Sequence, residues 1–306
     1  MSAVRVSLFG KFDVEYGGQS VAGMEARKVQ ELFSHLLLYR DRPHPRETLA
    51  GLLWGDATTS RSRKYLRQAL WQLQAAFEPL PGKGSPQVLL LDPEWVQINP
   101  AAALWLDVAV FEQAFVQVQG IAGHALGAQH AGVLRDAVEL YRGDLLEGWY
   151  HDWCVYERER LQTMFLAMLD KLVGYSEAHH EYEAGLSYGT RILCYDGAHE
   201  RTHRRLMRLH YLAGNRSAAL RQYETCVAAL DQELGVKPAR RTVTLYEQIR
   251  ADRVTSSEPG AAAREEPTTL PQVLNHLRQF QTVLAELQLQ VQQEIQAVEL
   301  TLKRQQ

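Results

Sequence analysis

The chain is 306 residues long, 46% hydrophobic and 23% charged, with 21 Gly and 11 Pro, a composition that supports a folded core and excludes wholesale disorder. The formal net charge is only −3, but it is unevenly spread: twelve Lys and Arg stand against ten Asp and Glu in residues 1–99, seventeen against twenty in 100–253, and four against six in 254–306. Cys154, Cys194 and Cys226 are too far apart for a disulfide framework or zinc knuckle, no apolar run approaches the ~20 residues that span a bilayer, and Met1–Arg5 is no signal peptide, so a reduced, cytoplasmic protein without membrane contact is expected.

Val4, Val6 and Leu8 alternate with Arg5 and Ser7, Phe12 and Val14 continue after Gly10-Lys11, and Gly17-Gly18 makes a turn, which predicts short strands over residues 1–22. Over 24–39 the spacing becomes helical, with Val29, Leu32, Phe33 and Leu36 on one face. The break Pro43-His44-Pro45 ends that helix and opens a second over Arg46–Trp54. Gly55 stops the second helix, and Thr58, Thr59 and Ser60 are candidate caps for a third that runs to about Phe77. Val88–Leu91 and Trp95–Ile98 flank Asp92-Pro93-Glu94 as a two-stranded hairpin. Small sheet, three helices, hairpin: that order predicts a winged helix-turn-helix over residues 1–100.

From Asp107 to Arg253 the pattern is helical throughout, broken at Gly or Asn. A shift of 34 residues pairs Leu172 with Leu206, Ala178 with Leu212, Gly185 with Ala219, Leu186 with Leu220, and Leu193 with Val227. That is the tetratricopeptide period, and it predicts helix hairpins stacked side by side in a tetratricopeptide-like all-α domain over residues 101–253. Residues 254–271 lack periodicity and read as a flexible linker with a root-mean-square span of about 23 Å. Over 272–304 a heptad seam follows through Val273, Leu277, Phe280, Leu284, Leu287 and Val291. After one stutter at Glu294 it continues through Ile295, Val298 and Leu302. A C-terminal coiled-coil helix about 50 Å long, pairing with other copies of the chain, is expected. The fold class expected is mainly α with a small β component.

Four stretches carry a resemblance to a known family. They are Ala26-Arg27-Lys28 opening the first helix, Arg46-Glu47-Thr48-Leu49-Ala50-Gly51-Leu52-Leu53-Trp54-Gly55-Asp56 over the second, and Leu212-Ala213-Gly214-Asn215-Arg216-Ser217-Ala218-Ala219-Leu220-Arg221-Gln222-Tyr223-Glu224. The last is Glu233-Leu234-Gly235-Val236-Lys237-Pro238, followed by Thr242 and Leu245-Tyr246. Together they resemble the SARP family of bacterial transcriptional activators, an OmpR-type winged helix followed by a bacterial transcriptional activator domain, over about residues 1–253. The nucleotide-binding module of longer members has no counterpart here, since no Gly-x-x-x-x-Gly-Lys-Ser/Thr occurs. The resemblance implies sequence-specific binding to promoter DNA, often on direct repeats, and contacts with a neighbouring protomer and RNA polymerase holoenzyme. It also makes the turn carrying Gly55, Asp56, Thr58 and Thr59 a candidate polymerase contact.

The third helix has the chemistry such a role needs. A helix that enters the major groove buries one face and offers the other, clear of carboxylates, to phosphates and base edges. Leu66, Ala69, Leu70, Leu73 and Phe77 share one face; Arg61, Lys64, Gln68, Trp71 and Gln72 lie opposite, with Arg63 and Arg67 on the flanks. No Asp or Glu occurs from Ala57 to Phe77. Arg61 and Lys64 suit guanine O6/N7 or phosphate, Gln68 suits adenine, and Trp71 suits sugar or a thymine methyl. A charged helix face is commonly just a solvated one, and the wing turn Asp92-Pro93-Glu94 is acidic where wings often carry cations.

No enzyme is read here, and no cofactor or bound metal is expected. His199-Glu200-Arg201-Thr202-His203 fits His-Glu-x-x-His, with Glu224 a nominal third ligand, but Leu206, Leu209 and Leu212 place it on a repeat helix as ordinary scaffold. His179-His180 reads as exposed helix-end filler, the three cysteines as core thiols, and Trp149, Trp153 and Tyr156 as core at helical spacing. A groove in the helical domain remains a candidate place for a small-molecule or protein effector. The expected function is a DNA-binding transcriptional activator that recruits RNA polymerase as an oligomer on repeated half-sites. The alternative is a protein-interaction scaffold whose winged helix does not read DNA.

Overall fold

The computed structural model describes residues 3–78 and 87–253. The expected linker and the coiled-coil seam from Val273 to Val298 lie outside the described residues. Alternation at the start of the chain buries Val4 and Val6 and exposes Arg5 over β1 (Val4–Ser7). This strand pairs antiparallel with β2 (Asp13–Tyr16), which turns back into β3 (Gln19–Ser20). Gly17 and Gly18 make that turn with φ of 61° and 81°, the left-handed pair that a two-residue hairpin demands.

Helix α1 (Arg27–Leu38) buries Val29, Leu32, Phe33 and Leu36, as their spacing predicts. The two-residue strand β4 (His44–Pro45) leads directly into α2 (Arg46–Trp54), and α3 (Thr59–Phe77) follows after a short turn. Thr58 occupies the cap position of α3, but its side chain makes no capping hydrogen bond. Instead the Ser62 hydroxyl donates to Trp54 O at 2.9 Å and ties the two helices across the turn. The hairpin β5 (Leu89–Leu91) and β6 (Trp95–Ile98) is completed by β4 on its far edge, in the order β4-β6-β5.

A short strand that sequence reading did not predict, β7 (Leu104–Leu106), lies parallel to β1 and completes a second sheet in the order β3-β2-β1-β7. Helix α4 (Asp107–Gln117) begins at the next residue. Its first side chain, Asp107, is buried and accepts hydrogen bonds from Leu8 N at 2.8 Å and Phe9 N at 2.9 Å. Nearby, Gly10 N donates to Asp144 O and Leu146 N to Leu8 O. The N-terminal sheet is thus laced to the helical part, and Met1–Val254 forms one compact unit around a continuous buried core from Val4 to Leu209.

After a 3₁₀ turn (Gly123–Ala125) come α5 (Ala128–Leu140), α6 (Asp152–Ala178), α7 (Tyr182–Leu193), α8 (Glu200–Leu212), α9 (Arg216–Leu234) and α10 (Arg240–Arg250). The period of 34 is visible in the first residues of α7 and α9, Tyr182 and Arg216. A Cβ added at Gly189 would stand 2.5 Å from Leu206 Cδ2, so α7 and α8 approach as closely as the small residue allows. Asn215 caps α9 by accepting from Ala218 N at 3.1 Å, and Gly235, at φ 65°, ends it. The last hairpin has its own small core of Met207, Ala219 and Ile249, beside stacked Tyr223 and Tyr246 rings. Among the described residues no helix is long and apolar enough to cross a membrane.

Candidate nucleic-acid interface

The exposed face of α3 follows from its buried one. Leu66, Ala69, Leu70, Leu73 and Phe77 pack inward with Ser62 and Ala76, which leaves Arg61, Arg63, Lys64, Arg67, Gln68 and Trp71 exposed and Gln72 half-buried. The structure therefore brings all seven residues singled out on this helix to its outward side. Gly55, Asp56, Thr58 and Thr59 are exposed in the turn before it and at its first residue.

Helices α3 and α8 each carry four Lys or Arg, and their electrostatics differ. On α8, Arg205 meets Asp170 at 2.7 Å, Arg201 meets the same carboxylate at 3.3 Å, Arg208 meets Glu177 at 2.8 Å, and Arg204 lies 3.7 Å from Glu200. Arg201, Arg205 and Arg208 are thus spent on carboxylates of α6, and Arg204 on the first residue of its own helix. On α3, Arg61, Lys64 and Arg67 have no ion-pair partner among the described residues. Three unpaired cations on the outward side of a helix that itself carries no Asp or Glu concentrate positive charge there.

The exception on α3 is Arg63, whose guanidinium pairs with Glu47 on α2. The two line an open cleft of about 710 Å³ between α2, α3 and the wing, together with Arg46, Ser60, Arg67 and Glu94. The acidity of the wing has a structural cause: Asp92 spends one carboxylate oxygen accepting Glu94 N at 2.9 Å, which closes the turn, while Glu94 reaches the lip of the cleft. Neither the Glu47–Arg63 pair, sixteen residues apart, nor the place of Arg46 in the cleft is visible in a helical-wheel reading.

The His-Glu-x-x-His run serves as joints of the repeat. His199 Nδ1 lies 2.7 Å from Thr202 Oγ1. Glu200 accepts from Ala239 N at 2.8 Å and from the Thr242 hydroxyl, holding the start of α10. His203 is buried and uses both ring nitrogens, Nε2 donating to Gly197 O at 2.8 Å and Nδ1 accepting from Gln222 Nε2 at 2.7 Å. Among the described residues no three His, Cys, Asp or Glu gather to hold a metal ion.

Two expectations in the helical part need correction. Tyr156 is 72% exposed rather than core, although Trp153 on the same helix and Trp149 ahead of it are buried; Trp149 precedes the start of α6 at Asp152, so no single helical spacing connects the three aromatics. Cys194 is exposed at the C-terminus of α7, whereas Cys154 and Cys226 are buried. Burial pushes the Cys226 thiol up to about 11 and raises Cys154 as well, which keeps both protonated. An open depression of about 430 Å³ lies over α10, lined by Arg240, Arg241, Thr244, Leu245 and Gln248.

Comparison with known proteins bears on these features. The family described as the bacterial transcriptional activator domain matches residues 106–250. The chain is 24% identical over 273 residues to the regulatory protein AfsR of Streptomyces coelicolor; the match covers 87% of this chain and 26% of that protein, so the chain spans about a quarter of its relative's length. Among solved structures it is similar to Mycobacterium tuberculosis EmbR, determined in complex with a low affinity phosphopeptide. The TM-score is 0.64 at 18% identity, over 91% of this chain and 72% of that one.

Proposed function

We propose that this chain, which matches the bacterial transcriptional activator domain over residues 106–250 and resembles the SARP family of transcriptional activators, reads promoter DNA by laying α3 in the major groove and there recruits RNA polymerase holoenzyme. The observation that carries this is the contrast between the two cationic helices. The charges of α8 are neutralised within the fold, and Arg61, Lys64 and Arg67 of α3 are not. Unpaired cations over a groove gain counterion release on meeting phosphates; paired ones gain little. In this reading Arg61, Lys64 and Arg67 supply phosphate and guanine contacts, Gln68 and Gln72 supply amide contacts to bases, and Arg63 joins them once freed from Glu47. The turn through Gly55, Asp56, Thr58 and Thr59 faces polymerase, and the heptad seam from Val273 to Val298 joins copies of the chain on repeated half-sites.

The winged helix and helical repeat share one core, so a contact made on the repeat is rigidly placed relative to α3. A second reading, a protein-interaction scaffold without DNA readout, is favoured by the two carboxylates, Glu47 and Glu94, that line the cleft beside α3. Transcription from a template carrying the bound site, with purified holoenzyme, separates them. The activator raises transcript yield and a triple Arg61→Ala, Lys64→Ala, Arg67→Ala variant does not; equal yields with folded parent and variant refute promoter readout by this helix.

A further inference from the structure

Trp71 is 68% exposed, in the middle of the outward face of α3. A single exposed hydrophobic residue is ordinary on a protein surface. This one lies in register with the unpaired cations: Lys64, Arg67 and Trp71 follow at steps of three and four residues and so form one stripe. The character of the stripe changes along the helix. The N-terminal half carries Arg61, Arg63, Lys64 and Arg67; the C-terminal half carries Gln68, Trp71, Gln72 and Gln74 and no charge before Glu78.

An indole among neutral amides is poorly matched to phosphate, since it offers one N–H and a broad apolar face. In the major groove the bases present donors, acceptors and one apolar group, the thymine C5 methyl. We infer that Trp71 is a specificity-determining residue that packs its indole against a thymine methyl, so that the C-terminal half of α3 selects for a T·A pair. Seven residues separate it from Lys64, or roughly 10 Å of helix, which corresponds to about three base-pair steps. This inference rests on the DNA-reading role proposed above and adds to it which base is recognised and by which side chain.

The test uses the full chain and the duplex it enriches from random sequence. Each thymine is replaced in turn by deoxyuridine, which removes only the methyl group, and binding is read by fluorescence anisotropy. At one position the parent binds the uracil duplex about fourfold more weakly, the equivalent of one buried methyl group. Trp71→Ala binds the thymine and uracil duplexes alike at that position, with unchanged salt dependence, and Trp71→Phe keeps part of the discrimination. Far-ultraviolet circular dichroism confirms that Trp71→Ala is folded, as expected for a side chain with so little burial. Specific binding by the parent with no methyl-sensitive thymine overturns the inference but leaves DNA reading intact. So does a Trp71→Ala variant that still discriminates. Absence of any specific duplex, with Lys64→Ala indistinguishable from parent, removes both.

Discussion

Lys64→Ala tests whether the free cations of α3 meet phosphates. Each phosphate neutralised contributes about 0.9 to the slope of log affinity against log salt. Over the interval from 50 to 200 mM, one contact therefore accounts for about a 3.5-fold fall in affinity, and three contacts for about 40-fold per protomer. Arg61, Lys64 and Arg67 are the three cations of this helix with no ion pair among the described residues. Lys64→Ala is expected to flatten the slope by about 0.9 and the triple variant by about 2.7 per protomer. The internal control is Arg201→Ala on α8, whose charge faces Asp170 and which should leave the slope unchanged. Dissociation constants measured on a specific duplex at five salt concentrations give the slopes directly. A Lys64→Ala slope equal to the parent's, or an equal flattening by Arg201→Ala, refutes the argument from pairing.

Glu47→Gln releases Arg63 from its ion pair; the expected result is a slope steeper by up to about 0.9 and tighter binding at low salt, measured in the same titration. Asp107→Ala strips the acceptor from the buried Leu8 and Phe9 amides, which costs about 2–5 kcal/mol in urea denaturation; Asp107→Asn, which retains an acceptor oxygen, costs less. Burial, with His44 and Arg42 nearby, pushes His35 from 6.5 down to about 4. The unfolded chain therefore binds this proton first as the pH falls. About 3 kcal/mol of stability, present above pH 6.5, is lost on descending to pH 4. His35→Phe keeps a ring against Tyr39 and Trp153 and should flatten the acid limb of stability against pH.

What was legible in the sequence was periodic and local. The bounds of α2, the buried faces of α1 and α3, the wing hairpin and the 34-residue repeat all follow from spacing within a single element or its neighbour. What escaped depends on pairs distant in the chain. The strand Leu104–Leu106 is too short to carry an alternation and is recognisable only beside Val4–Val6. Asp107 reads as an ordinary helix start until the amides of Leu8 and Phe9 are placed on it. Tyr156 stands one helical turn from the buried Trp153, and only the packing around α6 shows that it faces outward. The candidate interface was legible as a set of residues but not as an electrostatic state: the composition of α8 and α3 is similarly cationic, and only the positions of Asp170, Glu177 and Glu47 distinguish spent charge from free charge.

Whether α3 reads duplex DNA is decided by an unbiased selection from random duplexes. The full chain is run beside a triple Arg61→Ala, Lys64→Ala, Gln68→Ala variant, with both checked for native helicity. A repeated motif enriched by the parent and lost in the variant is the expected result. No enrichment by folded parent at low salt, or the same motif enriched by both proteins, would contradict it.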